Sequence, residues 1–437
     1  MTNIVTPSIL PGFNEYLPED QILFNNMMDT IRHNYESFGF LPIDTPVLEK
    51  AQVLLAKGGG DTEKQVYRFS KGDTDMAMRF DLTVPLARYV AQHFSELSFP
   101  FRRYHIAKVY RGERNQKGRY REFYQCDIDI IGNGSLAIEN DGEIPAIICR
   151  TFRDLGFDDF TLRINNRKLL TGFYRYLGIE DSLSVLRIVD KLDKIGIEKT
   201  IAELEELGLS EDSANRIMQF IAIEGNTQEV LKALKALEIN DELFSQGVLE
   251  LEQVVQVIEL FGVTEKDYKI DLSIARGLDY YTGTVYETTL DEYPEIGSVC
   301  SGGRYDNLAD YYTKQSLPGV GISIGLSRLF FKLKEAGHFK DSPKSLIKAL
   351  IIPMGDNNNE AISLSTKLQD NGIACQIYLE SGKINKKFKY ADQLGVEKAI
   401  IVGAEEVETG LWTLRDMVTG EQEKLSENDL ISLLKNV

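Results

Sequence analysis

The first strong pattern in the chain places Leu23, Met27, Ile31 and Tyr35 at four-residue intervals with Gly39 behind them, and predicts a helix over about residues 19–37. An extended stretch broken by Pro42 and Pro46 follows, and then Gly58-Gly59-Gly60, read as a mobile turn. No Lys-Ser/Thr comes after these glycines, so they are not a phosphate-binding P-loop. Met76, Met78 and Phe80 predict a strand that breaks at Asp81-Leu82-Thr83, with Thr83 as N-cap and Pro85 in the first turn of the next helix. Two further strands flank the polar loop NQKGRYR (115–121). The second is the most informative segment, because its period of two sets Phe123, Gln125, Asp127 and Asp129 on one face and Tyr124, Cys126, Ile128 and Ile130 on the other. Two carboxylates and an amide aligned on one strand face are costly unless that face meets water or a ligand, so this face marks a polar site.

Roughly residues 185–260 change character. Ile201, Leu204, Leu207, Leu249, Val254, Val257 and Ile258 recur at helical spacing among Glu and Lys, and predict a mostly helical insertion. Strand character returns at IDLSIARGLDYYTGTVYET (270–288) and at GVGISIGLSRL (319–329), with a helix starting near the end of the latter. A linker near Gly337–Ser345 precedes a compact β-α-β-α-β order over KALIIPM, EAISLSTKLQDNG, IACQIYL, KKFKYADQLG and KAIIVG, with LWTLRDM as a further strand. The overall class is α+β, with one domain over 1–335 and an α/β domain over 345–437, the second sheet parallel or mixed.

Composition adds little except through its unevenness. The formal net charge is −18, yet Arg102–Arg121 holds eight basic residues and one acid, Glu113, a local excess suited to phosphate. Cys126, Cys149, Cys300 and Cys375 are far apart and His33, His93, His105 and His338 lack ligand spacing, which argues against a disulfide framework and a side-chain metal site. No signal segment or membrane-length apolar run is visible, so a cytoplasmic location is expected.

Chemistry on a phosphate needs fixed arginines, and Arg111, Arg276 and Arg328 are the candidates, with Phe123 as a flat surface for a base. VYRGERNQKGRYREF (109–123) resembles motif 2 of class II aminoacyl-tRNA synthetases, GVGISIGLSRL resembles motif 3, and the stretch around Pro46 is similar to the dimer-forming motif 1. RGLDYYTGTVYE (276–287) and SGGRYD (301–306) resemble two peptides distinctive of the histidyl-tRNA synthetases, and RFDLTVPLAR (79–88) and LRDMVTGEQ (414–422) also fit that family. The resemblance implies a mixed, mainly antiparallel catalytic sheet, a C-terminal anticodon-binding domain and a homodimer. It further implies L-histidine, ATP and histidine tRNA as partners, with Mg²⁺ held mainly through the ATP phosphates.

By position, the resemblance implies that Asp81, Thr83 and Gln125 hold the α-amino group of histidine. Arg111 would contact the carboxylate and the α-phosphate, and Arg276 would act on the α-phosphate as charge develops. Asp129 would accept from one ring nitrogen and Tyr281 would engage the other, with Tyr280 lining the pocket and Tyr305 closing it. Glu113, Phe123 and Arg328 would place ATP, Phe123 and Arg328 on either side of adenine. The backbone at Gly302-Gly303 would let substrate approach. Arg114, Gln116 or Arg119 would meet the 5′ end of tRNA, and Lys383, Lys386, Lys387 and Lys389 would meet phosphates near the anticodon. Ser327 departs from the family, which has an acid before the motif 3 arginine, and Asp81 and Asp129 stand where many bacterial relatives have glutamate. Two other readings are a regulatory subunit of histidine biosynthesis and a sensor of uncharged tRNA. Both typically lose synthetase residues, which this chain keeps.

Overall fold

The computed structural model describes residues 4–56, 61–114, 118–274, 280–339 and 344–436, in two compact units: 1–14 with 27–338, and 15–26 with 339–437. In chain order the strands of the first unit are β1 (Leu41–Pro42), β2 (Leu48–Lys50), β3 (Arg68–Lys71), β4 (Thr74–Met78), β5 (Phe101–Tyr110) and β6 (Glu122–Ile131). They continue as β7 (Phe160–Asn166), β8 (Tyr268–Ile270), β9 (Thr284–Leu290), β10 (Ser298–Tyr305) and β11 (Gly319–Ile324). Eight of them form one sheet in the order β1-β5-β6-β11-β10-β9-β7-β8, antiparallel except at the β1–β5 and β7–β8 pairs. β2, β4 and β3 form a separate three-stranded sheet.

The alternation read in β6 is the alternation observed. Cys126, Ile128 and Ile130 are buried against helices, among them Pro18–Ser37, whose Tyr35 hydroxyl donates to the Cys126 carbonyl at 3.0 Å. The opposite face carries Phe123, Gln125, Asp127 and Asp129. Register then decides what lies beside them: Arg103 and His105 of β5 sit opposite Asp129 and Asp127, and Gly321 and Ser323 of β11 flank the same two residues on the other side.

Residues 182–260 are helical: Ser182–Val189, Leu192–Ile195, Ile197–Glu206, Glu211–Ile221, Thr227–Ala236 and Glu242–Leu260. Asp181, Ser210, Asn226 and Asp241 each accept a backbone N–H with the side chain at the start of a helix, a local signal worth about 1 kcal/mol per cap. The last helix is not peripheral. It lies against the helices Glu139–Asp154 and Arg167–Tyr176 at glycines: a Cβ on Gly172 would sit 2.3 Å from the Phe244 nitrogen, and one on Gly247 would sit 2.4 Å from the Leu169 nitrogen.

The second unit has a five-stranded sheet of β12 (Ala349–Pro353), β13 (Cys375–Ile377), β14 (Lys398–Val402), β15 (Trp412–Asp416) and β16 (Gln422–Leu425), in the order β13-β12-β14-β15-β16. β12 pairs in parallel with both neighbours, as the β-α-β-α-β order implies, and β14, β15 and β16 continue antiparallel. One lysine expectation changes here. Lys387 is buried, its Nζ donates to the Pro353 carbonyl at 2.7 Å and lies 5.6 Å from the Tyr378 ring centroid, so it braces the unit, whereas Lys383, Lys386 and Lys389 are exposed.

The glycine contacts generate a stability test. Gly172→Ala presses first on the Phe244 backbone, which cannot yield as a side chain would, and should cost roughly 1–3 kcal/mol in chemical denaturation. A variant as stable as the parent protein would show that the two helices can separate freely.

Candidate active site

A cavity of about 500 Å³ opens on the polar face of β6, floored by β6, β11 and β10. It brings together Asp81, Thr83, Arg111, Glu113, Phe123 and Gln125 with Asp129, Tyr280, Tyr281, Tyr305 and Arg328, which is every side chain assigned above to histidine or ATP among the described residues. Arg276, Gln116 and the glycines 58–60 lie outside the described residues.

One end is arginine-lined. Arg111 donates from Nε to the Phe80 carbonyl at 2.9 Å, and its guanidinium carbon lies 5.1 Å from the Phe123 ring centroid. Arg328 donates to the Ile296 carbonyl at 2.7 Å. Ser327, in place of an acid, accepts from the Tyr124 N–H at 2.9 Å and ties the helix Leu326–Ala336 to β6. Arg328 is therefore held through the loop before β10.

The other end is acidic and closed. Asp81, Asp127 and Asp129 are all buried around Arg103, which has no exposed surface. Arg103 Nη2 meets Asp129 Oδ2 at 2.5 Å, and Tyr305 donates to Asp129 Oδ1 at 2.7 Å. Burial raises Asp127 to about 7, against the opposing pull of Arg103. Burial likewise raises Asp81 to about 6 despite the Val84 N–H, Arg111 and Arg103, and raises Asp129 to about 6 despite Arg103 and Tyr305. Next to Asp127 in register, His105 is pushed down to about 3 by burial and then by Arg103, so it adds no positive charge.

Several expectations are corrected by this geometry. Thr83 is the first residue of the helix Thr83–Gln92 and Leu82 its N-cap, and Asp81, one residue earlier, accepts the Val84 N–H on Oδ1 at 3.1 Å. Asp129, expected to accept from a ring nitrogen, receives one bond on each oxygen, from Arg103 and Tyr305, and keeps lone pairs for a further donor. Gly302 lines the cavity, and it and Gly303 also serve close packing: a Cβ at 302 would lie 2.1 Å from the Gly321 carbonyl, and one at 303 would lie 2.6 Å from the Thr284 carbonyl and 3.0 Å from Tyr281. The basic run 102–121 is not one patch. Arg102 pairs with Glu143, Lys108 with Glu122 and Arg121 with the Glu113 and Pro11 carbonyls, while Arg114 is exposed.

Asp127 was placed on the polar face from the sequence but given no role, and Arg103, Gly321 and Asp190 were not singled out. Applying to FRRYHIAKVY the alternation applied to β6 would have set Arg103 and His105 on one face. Asp190, just after the helix Ser182–Val189, lines the cavity from the helical segment, and no local pattern announces it.

A strand–loop–strand bearing Arg111, an antiparallel floor and a following helix bearing Arg328 define the catalytic unit of a class II aminoacyl-tRNA synthetase. The family model described as histidyl-tRNA synthetase matches residues 12–329, and that described as anticodon binding domain matches 348–437. The chain belongs to the histidyl-tRNA synthetase family. It is 60% identical over 435 residues to the histidine–tRNA ligase of Clostridium tetani, covering 99% of both chains, and 49% identical to that of Finegoldia magna, covering 99% of this chain and 100% of the other. The crystal structure of histidyl-tRNA synthetase from Nostoc superposes with a TM-score of 0.91 at 40% identity over 100% of both chains.

The buried cluster sets a pH-dependent expectation. Arg103→Met removes the cation shared by three carboxylates and should cost about 3–5 kcal/mol at pH 8. The carboxyls have folded values near 6–7, above an unfolded value of about 3.9, so the fold holds their protons more tightly and gains stability as pH falls through 7 towards 4. The deficit of the variant should therefore shrink at pH 5, as measured by denaturation at both values. An equal deficit at both would mean that the arginine is held by packing alone.

Proposed function

We propose that the protein activates L-histidine with ATP to histidyl-adenylate and transfers it to the 3′ end of histidine tRNA. The observation that carries this reading is the two-ended cavity. Among the described residues, Asp81 Oδ2, Gln125 Oε1 and Asp127 Oδ1 are buried acceptors without partners at one end, more of them than the two unpartnered Arg103 donors, Nε and Nη1, in the same cluster, and arginines line the other. Unmet buried acceptors call for a ligand rich in N–H donors, and the arginines call for an anion.

In this reading the α-ammonium of histidine sits among Asp81, Thr83 and Gln125, and the imidazole points to the carboxylate end beside Tyr281. Tyr280, whose hydroxyl pairs with Thr83, and Tyr305 shape that end. Arg111, between Phe123 and the acidic end, contacts the histidine carboxylate and the α-phosphate together. Glu113, Phe123 and Arg328 place the nucleotide, and Arg276, assigned through the family resemblance, steadies the α-phosphate. A carboxylate oxygen attacks the α-phosphorus, the bond to the β-phosphate oxygen breaks, and pyrophosphate leaves. Mg²⁺, brought in mainly on the phosphates, supplies neutralisation of the leaving charge. The terminal ribose hydroxyl of tRNA then attacks the acyl carbon and AMP departs. The anticodon-binding family match and the retained site residues support this reading over a regulatory subunit or a tRNA sensor. A cytoplasmic homodimer is part of the proposal; among the described residues, no helix is long and apolar enough to cross a membrane.

Amino-acid-dependent ATP–pyrophosphate exchange with all twenty amino acids should respond to histidine alone, and a silent or differently selective protein would refute the proposal. Arg276→Ala should slow exchange on the order of 10²–10³-fold with little change in histidine affinity by calorimetry. Loss of binding together with rate would make Arg276 a pocket residue instead.

Arg114 is exposed on the loop after β5, beside the arginine-lined end. Arg114→Ala should impair tRNA charging more than pyrophosphate exchange, whereas equal impairment would argue against contact with tRNA.

A further inference from the structure

We propose that Arg121 is a positioning residue for Arg111 and Glu113, and that the turn over Leu10–Phe13 serves the same end by holding Arg121. The proposal rests on the cavity being the site where ATP and histidine meet. In the sequence Arg121 looks like one more phosphate ligand of the basic run, yet it does not line the cavity. Its hydrogen bonds go to backbone, two towards the site and two away from it.

Towards the site, Arg121 holds the chain as it leaves β5. Its carbonyl accepts the Arg111 N–H at 2.9 Å, and its Nε donates to the Glu113 carbonyl at 3.0 Å. Gly112, between them, donates its N–H to the Gln65 carbonyl at 2.7 Å. Three consecutive residues are thus fixed through their backbone, and the side chains of the first and third line the cavity. The Glu113 carboxylate lies 3.9 Å from Arg119, so its side chain and its backbone answer to different arginines.

Away from the site, the Arg121 N–H donates to the Gly12 carbonyl at 2.7 Å and Nη1 donates to the Pro11 carbonyl at 3.3 Å. A tight turn presents these two carbonyls, closed by the Phe13 N–H on the Leu10 carbonyl at 3.1 Å. Proline presets φ at the second position, and Gly12 takes the left-handed φ of +87° that a type II turn requires at the third. Arg121 constrains Gly12 a second time, since a Cβ there would lie 2.9 Å from its Cγ and 3.0 Å from its Cδ. A side chain at position 12 therefore strains the turn and displaces the arginine together. Nε and Nη1 reach two carbonyls from one planar group, which the single ammonium of a lysine does not reproduce.

What the clamp controls is placement. A shift of about 1 Å in a positioning group can cost on the order of 10²-fold in rate. In the proposed reading Arg111 meets the histidine carboxylate and the α-phosphate together, so its backbone anchor bears on the reacting atoms without touching them.

The test uses the full chain in histidine-dependent pyrophosphate exchange. Arg121→Met should lower kcat roughly 10–100-fold and raise the ATP KM several-fold. The histidine Kd, measured by calorimetry without ATP, should stay within about threefold, because Asp81, Thr83 and Gln125 are untouched. Gly12→Val, which changes no residue of the cavity wall, should move the same two constants in the same direction by smaller factors. Arg121→Lys should fall between the parent and Arg121→Met. Combining Gly12→Val with Arg121→Met should be no worse than Arg121→Met alone, since the turn acts through the arginine. Constants within about twofold of the parent in Arg121→Met would overturn the proposal, as would equal losses of histidine and ATP affinity accompanied by a lower unfolding temperature. Multiplying losses in the double variant would detach the turn from the arginine and overturn its part. If Arg121→Met does not fold, Arg121→Lys and Gly12→Val decide by the same constants. Absence of histidine-dependent exchange in the unaltered protein would instead overturn the functional reading itself.

Discussion

Arg103 is a guanidinium with no exposed surface, set among three buried carboxylates, and the acidic end of the cavity is organised around it. Two opposite charges about 4 Å apart attract by roughly 4 kcal/mol at an effective dielectric of 20, and one such cation cannot satisfy three anions. Burial, with a smaller push from the neighbouring carboxylates on Asp81 and Asp127, raises the three carboxyls to about 6–7 against the pull of Arg103. In the proposed reading, the ammonium group of the amino acid meets this acidic end, so ligand-free stability is traded for recognition.

The backbone makes that arrangement possible. Gly321 leaves room for the Asp129 side chain on β11, Gly302 allows β10 and β11 to lie close, and Gly303 gives Tyr281 its place against the floor. Beside the cluster on β5, His105 accompanies Asp44, whose Oδ1 it contacts at 2.9 Å, and Arg79 donates to Asp44 at 3.1 Å. The segment before β2 is thus tied to the strand that carries Arg103. Asp190 brings the helical segment to the cavity rim, which ties that segment to the site as well as to the helices beneath it.

Much of this was legible along the chain because it is set by local rules. Periodicity located the long first helix, the polar face of β6 and the alternating order of the C-terminal unit, and the side chains at Asp181, Ser210, Asn226 and Asp241 are ordinary helix-start signals. The peptides around Arg111, Tyr280 and Arg328 pointed to a single family, and described residues from all three line one cavity. Pairing and burial were decided elsewhere. Arg103 looked like one member of a basic run until antiparallel register set it opposite Asp129, and Lys387 looked like its exposed neighbours until the fold buried it against Pro353 and Tyr378. Asp127 and Asp129 are equivalent in the alternation of β6, and only Tyr305 and Arg103, 176 and 26 positions from Asp129 in the chain, give Asp129 a bond on each oxygen, whereas Asp127 Oδ1 has no partner among the described residues. The sequence by itself determined which residue types share a strand or helix face, because that follows from backbone geometry over a few residues. Tertiary structure alone decided which charges meet and which stay uncompensated, because desolvation and Coulomb energy depend on distances between segments far apart in the chain.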